Sequence, residues 1–445
     1  MAAKQLKALT NIWVKLNLAV TLHYFSAALF SGINRKKVTI SIADKGDNNV
    51  YINSLIVIVN DQNYKLKIFL YSTKMKTKLF IKSMNCCKSV VLSAALIGIS
   101  ITASRAQAPL RLGVAGLNHN HVYNILNKYR DGKADIVGIA EPNKALWAKF
   151  GKIFHIPDSL FFTDLKTMVL KKKPDAVLGY NAAANHVDIV EVCAPLGIPV
   201  MVEKPLAATL VQAVRIRELA EKYHIKVLTN FETTWYPSNW DIYNTVNTGS
   251  IGPVRRMVAH DGHQGPKEIG CSEEFLAWLT DPVLNGAGAL NDFGCYGADL
   301  MTWMMHGERP IAVTAIARHY KPDVYPKVED DATVIVEYHG ATGEIEGSWN
   351  WPFSIKDFEV FGATGYLHAL DTSHIVSRMR ENIKGAKNVE PLAAPINDPI
   401  VYLTAVLHHQ IPGTDDLSSL KYNIIVMEIL DAAKRSINEG RRIVL

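Results

Sequence analysis

Cysteine is scarce in this chain: five among 445 residues, and only Cys193, Cys271 and Cys295 after position 108. An odd number at wide spacing makes neither a disulfide framework nor a cysteine-based zinc site. Acidic residues are nearly absent from the first 108 positions, which hold 15 Lys+Arg against 3 Asp+Glu. The remainder carries 33 basic and 39 acidic residues, so the overall +6 belongs to the leader. A basic surface for nucleic acid is thereby excluded. A long uninterrupted apolar run is also missing from the leader, because Lys15 and His23 break the stretch from Ile12 to Ile33. The leader has no twin arginine, and the chain shows no internal repeat or low-complexity segment.

What the leader does contain is an export pattern. Lys76, Lys78, Lys82 and Lys88 follow Met75, Val90 to Thr102 is apolar, and Ala106-Gln107-Ala108 has the small-residue cleavage form. Residues 75–108 are therefore read as a signal peptide cleaved near Ala108, and 1–74 as an upstream extension with translation assigned too early. The mature chain is expected to be periplasmic or secreted, without a membrane span.

From Leu110 onward, short apolar runs alternate with helical stretches. Strands are expected at Leu110 to Ala115, Ala134 to Ala140, Asp175 to Tyr180, Ile198 to Val202 and Ile225 to Phe231, with helices between them. That alternation predicts an N-terminal Rossmann-type, doubly wound parallel sheet over 109–236. After Pro237 the runs alternate in polarity with few helices between, which predicts an α+β domain over 237–445 built on a large, mainly antiparallel sheet. The fold class is α/β. Leu420 to Asn438 reads as an amphipathic helix stopped by Gly440 and packing back on the first domain.

Three stretches carry chemistry. Gly116-Leu117-Asn118-His119-Asn120-His121 turns the first strand into a helix, where backbone N–H groups hold a dinucleotide pyrophosphate. Only Gly116 fits the G-x-G-x-x-G pattern, Asn118 and His121 standing in for the other glycines. Glu141 ends the second strand, where an acid binds adenosine ribose hydroxyls and selects NAD over NADP. The run Val200-Met201-Val202 ends in Glu203-Lys204-Pro205, delivering a lysine to the carboxyl edge of the sheet where ligands bind in such folds. Downstream, Asp292, Tyr296 and Asp299 recur at i, i+4 and i+7 on one helix face, after Gly286-Ala287-Gly288. Trp235, Tyr236 and Trp351 offer aromatic faces for a pyranose. His260 and His263 form a His-x-x-His pair near Asp261 and Lys267, but no third ligand has matching spacing, so no metal is expected.

A Rossmann half, a strand ending in Glu-Lys-Pro and a later G-x-G-x-x-x-D-x-G-x-Y helix together resemble the Gfo/Idh/MocA oxidoreductase family, glucose–fructose oxidoreductase-like members above all. The resemblance spans Leu110 to Leu445. It implies that Lys204 hydrogen-bonds the reacting oxygen and lowers the pKa of its neighbour, and that Tyr296 removes the hydroxyl proton as general base. It further implies that Asp292 orients a sugar and that the bond before Pro205 is cis. Glu203, Asn181 and His186 would lie on the cofactor side, with Gly116, Leu117, Asn118, His121 and Glu141. His263, Asp299 and Trp351 would join Trp235 and Tyr236 on the substrate side. The function implied is hydride transfer between a sugar or glycoside hydroxyl carbon and tightly held NAD, in a homo-oligomer joined through the C-terminal sheet. Two alternatives share these residues: an NAD-dependent glycosidase working by transient oxidation at C3, and a non-catalytic sugar-binding protein.

Overall fold

The computed structural model describes residues 36–40, 54–60, 65–71, 79–82, 109–381 and 383–445. It divides into two compact units, Met1–Ala108 and Pro109–Leu445. In the first, β1 (Lys36–Ile40), β2 (Ser54–Asn60), β3 (Lys65–Tyr71) and β4 (Leu79–Lys82) pair as an antiparallel meander. The rest of the expected signal segment, residues 75–78 and 83–108, lies outside the described residues. No helix among the described residues is long and apolar enough to cross a membrane.

The second unit opens with a six-stranded sheet in the order β10-β9-β8-β5-β6-β7, every pairing parallel. Its strands are β5 (Arg111–Ala115), β6 (Asp135–Ala140), β7 (Phe161–Phe162), β8 (Ala176–Gly179), β9 (Val200–Glu203) and β10 (Val227–Asn230). β8 and β9 are buried at every residue, as strands covered on both faces must be. The helices between them are α1 (Val122–Arg130), α2 (Lys144–Phe154), α3 (Leu165–Lys172), α4 (His186–Cys193) and α5 (Leu210–Tyr223). Local chemistry sets their starts: Asn143 and Asp164 accept from the first-turn N–H groups of α2 and α3, and Thr209 with Gln212 closes a capping box on α5. The chain runs outward from β5 to β7, then crosses back to β8 and on to β10. The order therefore reverses between β5 and β8, and the crevice beside their carboxyl ends is the place for a ligand.

The larger sheet has nine strands, ordered β18-β17-β16-β15-β11-β14-β13-β12-β19. They are β11 (Val254–Gly262), β12 (Ala312–Arg318), β13 (Asp331–Glu337), β14 (Thr342–Ser348), β15 (Ile355–Gly362), β16 (Tyr366–Ala369), β17 (His374–Arg380), β18 (Ile383–Asn388) and β19 (Ile443–Val444). All pairings are antiparallel except β11 with β14. The sequence reading did not resolve β16 to β18, nor the helices α6 (Pro237–Asn247) and α10 (Pro399–Leu407), each of which starts on a proline at a position where the missing N–H costs nothing. Between β11 and β12 lie α7 (Glu273–Leu279), α8 (Ala289–Asp292) and α9 (Gly294–Met304).

α9 is buried at all eleven residues and lies against β11 and β14. Gly297 lets it approach: a Cβ there would stand 2.7 Å from Ile345 Cγ2 and 3.0 Å from Ala259 Cβ. α11 (Leu420–Glu439) touches both halves, lying on β12, α9 and α5, with Lys434 donating to the Ala208 carbonyl at 3.0 Å. Gly297→Val should overpack this seam and lower stability by about 1–3 kcal/mol, read as a lower urea midpoint with an unchanged slope.

Candidate active site

Two backbone loops meet beneath the site. The bond between Lys204 and Pro205 is cis, and the loop that follows runs to Ala208. Against it sits the Asn285–Asn291 turn: Asn291 Nδ2 donates to Ala208 O at 3.3 Å and to Asn285 O at 2.7 Å. Gly286, at φ +89°, passes so near that a Cβ would lie 2.1 Å from Ala208 O. Gly286 and Asn291 thus clasp the two loops, and what the clasp brings together is Lys204 and Asp292.

The Lys204 ammonium is buried and donates to Asp292 Oδ1 at 2.5 Å and to the Asp292 carbonyl at 2.8 Å. Asp292 Oδ2 accepts from Trp349 Nε1 at 3.0 Å. Burial alone would push the lysine down and the carboxyl up. The pairing outweighs it in both, raising Lys204 above the ordinary lysine range and holding Asp292 below the carboxylate range. The pair is ionic.

Tyr296 turns its ring face to two ammonium groups, Lys204 Nζ at 4.9 Å and Lys356 Nζ at 4.5 Å from the centroid. The expectation that Lys204 draws this phenol toward neutrality fails. Burial, then the charge of Glu232, raises Tyr296 well above the usual phenol value, so its hydroxyl is a donor. Lys356 pairs with Glu232, whose carboxyl falls to about 2 because that ammonium outweighs the upward push of burial. Tyr236 donates to Glu232 Oε1 at 2.7 Å.

These groups line a cavity of about 740 Å³ that also includes His119, His121, His263 and Asp357. His263 accepts from the Gly265 N–H at 2.9 Å, and burial with the nearby Lys204 holds it below the ordinary histidine value against the pull of Asp292. A second cavity, of about 490 Å³, is lined by Asn124, Tyr180, Glu203, Asn230 and Trp235. His121 and Glu232 line both, so they form the partition.

Among the expected substrate residues, Tyr236, His263 and Asp292 line the larger cavity, while Trp235 lines the smaller one. Trp351 lines neither; it lies over Gly262, where its ring would stand 2.8 Å from a Cβ. Asp299 is not a substrate contact. The helix breaks at Phe293, between α8 and α9, and carries Asp299 into the core, fully buried with both oxygens unpartnered. Burial, then Asp416, raises it well above the carboxylate range, so it is a neutral acid. Sequence reasoning missed Asn230 and Glu232, at the end of β10 and in the turn after it, and Lys356 on β15.

On the cofactor side, Gly116 adopts φ +87°, and a Cβ there would stand 2.7 Å from Asn181 Cβ. Glu141 does not face outward to a ribose as expected. It is buried, and its oxygens accept from the Leu117 N–H and the Asn143 N–H at 2.8 Å each. Its task is to fasten the turn to the end of β6. The turn is also held from above, where Trp278 Nε1 donates to the Asn118 carbonyl at 3.0 Å and Lys149 bridges to Glu274 at 2.5 Å. His186 lies buried at the start of α4 and bonds the Leu206 carbonyl through Nδ1 at 3.1 Å, bracing the loop after Lys204. Asn118 Oδ1, Asn181 Oδ1 and His186 Nε2 are buried without a partner. Three such acceptors beside one crevice fit the amide and hydroxyl donors of a nicotinamide nucleotide.

A parallel sheet with its ligand crevice at the β5/β8 reversal, abutting an open sheet whose packed helices α8 and α9 carry an acid and a phenol, is the architecture of a two-domain dinucleotide-binding protein. The chain belongs to the Gfo/Idh/MocA family: residues 110–231 match its NAD-binding Rossmann domain and 241–368 its C-terminal domain. It is 29% identical over 173 residues to trans-1,2-dihydrobenzene-1,2-diol dehydrogenase of Xenopus tropicalis, covering 38% of this chain and 48% of that protein. The chain thus spans about half the length of that relative. Its fold is similar to aldose-aldose oxidoreductase from Caulobacter crescentus, solved with glycerol, at a TM-score of 0.63 and 20% identity over 75% of this chain and 100% of that one. An inositol dehydrogenase homolog from Azotobacter vinelandii, solved with NAD+, gives 0.66 and 17% over 76% and 97%.

Removing the carboxylate strands a buried cation. Asp292→Ala should therefore cost about 3–5 kcal/mol. The double variant Asp292→Asn, Lys204→Met should recover much of that loss, which chemical denaturation of the three proteins will show.

Proposed function

We propose that this chain moves a hydride between a hydroxyl-bearing carbon of a sugar or related diol and bound NAD. The observation that carries this reading is the ionic Lys204–Asp292 pair, with Tyr296 beside it, on the wall of a cavity next to the nucleotide crevice. NAD, when bound, accepts or returns the hydride. Lys204 presents a fixed ammonium donor to the substrate oxygen, held in place by Asp292 rather than by solvent. Tyr296 adds an O–H beside it. Asp292 has no free proton and keeps its charge, so it orients rather than titrates. Glu232, Tyr236 and His263 supply further polar contacts around the cavity, as a polyhydroxylated ligand requires.

Both donors rest protonated, because Lys204 and Tyr296 are each raised. That state suits the reductive direction, in which the oxygen gaining the hydride at its carbon takes a proton from one of them. Oxidation runs the same path backward and requires that group to lose its proton first. The oxidation rate should therefore climb with pH through the alkaline range, while reduction stays flat to about pH 9.

The proposal extends to export of the mature chain and to a homo-oligomer joined through the nine-stranded sheet. Free NAD is scarce outside the cytoplasm, so an exported enzyme of this kind retains its cofactor. Full-length protein purified without nucleotide and then denatured should release stoichiometric NAD, identified by mass spectrometry. Lys204→Ala should abolish sugar-dependent NADH formation with nucleotide still bound, and Tyr296→Phe should lower kcat by about 10²–10⁴-fold. Full activity in Lys204→Ala overturns the assignment.

A further inference from the structure

The partition between the two cavities holds a set of groups that hydride transfer does not require together. His119 and His121 stand on the β5–α1 turn, and Glu203 ends β9. One nitrogen of each ring and one carboxylate oxygen lie within 4.8 Å of one another. Neither spacing nor composition joins Glu203 to the histidines; the β5/β8 reversal does, by setting the ends of β5 and β9 on either side of β8.

The details are those of a ligand set. His121 Nδ1 meets Glu203 Oε2 at 2.8 Å. Glu203 Oε1 accepts from Asn230 Nδ2 at 2.8 Å, and Asn230 Oδ1 in turn accepts from Trp235 Nε1 at 2.9 Å. The carboxylate is thus oriented by an outer pair, the arrangement that surrounds metal ligands. His119 is buried against Phe275 and Trp278, its Nδ1 receives the His121 N–H at 3.1 Å, and its Nε2 has no partner. Two imidazoles and one carboxylate suit zinc with an open position, and both flanking cavities give access for a further oxygen ligand. Lys204 places one positive charge nearby, but Asp292 already neutralises it.

We propose that His119, His121 and Glu203 bind a divalent ion of the imidazole-preferring class, Zn²⁺ foremost, in the wall between the two cavities. His119 ligates through Nδ1 by displacing the His121 N–H, or through Nε2 once its proton moves to Nδ1. The open position faces cavity space, so the ligand class it takes is an oxygen donor, water or a substrate hydroxyl or carbonyl.

The test uses the full chain without an affinity tag, stripped by chelator and dialysed. Titration with Co²⁺ should give visible ligand-field bands that saturate at stoichiometric metal, and Zn²⁺ should abolish them. His121→Ala should remove the bands. Glu203→Gln, which keeps the side-chain shape, should weaken binding by about 100-fold and Asn230→Ala by about 10-fold. His260→Ala, whose ring pairs with Asp357 on the outer sheet, should bind as the parent does. Absence of stoichiometric bands in the parent, or bands that persist unchanged in a folded Glu203→Gln, overturns the proposal. The readout is metal binding alone, so it fails or succeeds separately from hydride transfer.

Discussion

A buried ammonium paired with a buried carboxylate is the constraint around which the rest of this molecule is arranged. Lys204 directly follows a strand of one sheet and Asp292 ends a short helix belonging to the other half, so the pair exists only when the two halves are docked. Neither charge is stable alone in that position, since the cost of stripping water from each is met only by the other. The surrounding backbone is built to guarantee the meeting: Gly286 lets one loop lie on the next, Asn291 bonds across it, and His186 braces the stretch after Pro205. α11 spans both halves behind them.

From that pair the chemistry of the cavity follows. A lysine kept charged, and a tyrosine kept neutral by burial beside it, form a pair of proton donors rather than the acid and base that simple juxtaposition would give. Lys356 and Glu232 form a second, more exposed ion pair at the cavity, and there too the ammonium holds the carboxyl down, to about 2. The Rossmann turn nearby is held by its own side chains: Glu141 fastens it from below and Trp278 from above.

Much of the architecture was legible in the sequence because period and burial coincide. Buried parallel strands leave unbroken apolar runs such as Val200 to Val202, and helix caps such as Thr209 with Gln212 are local signals. Glu203-Lys204-Pro205 could be placed at the sheet edge for the same reason. What could not be read depends on distance in space rather than along the chain. Asp299 lies one turn beyond Tyr296 in the same helix, but α9 is buried on every face, and at that position the side chain meets core rather than cavity. Glu141 sits where a ribose acid belongs, yet two backbone N–H groups claim it. Trp349 rather than Trp351 reaches the site: both follow the end of β14 at Ser348, and the first turns its Nε1 to Asp292. His119 and His121 meet Glu203 only through the strand order.

The most direct test of this account observes the Lys204 ammonium itself by ¹H–¹⁵N NMR tuned to lysine side chains. A buried, paired ammonium should give a protected resonance that persists to about pH 9 and disappears in Asp292→Asn. If Lys204 gives no protected signal, or loses its proton near neutral pH, the pair is not ionic and the arrangement described here around it is wrong.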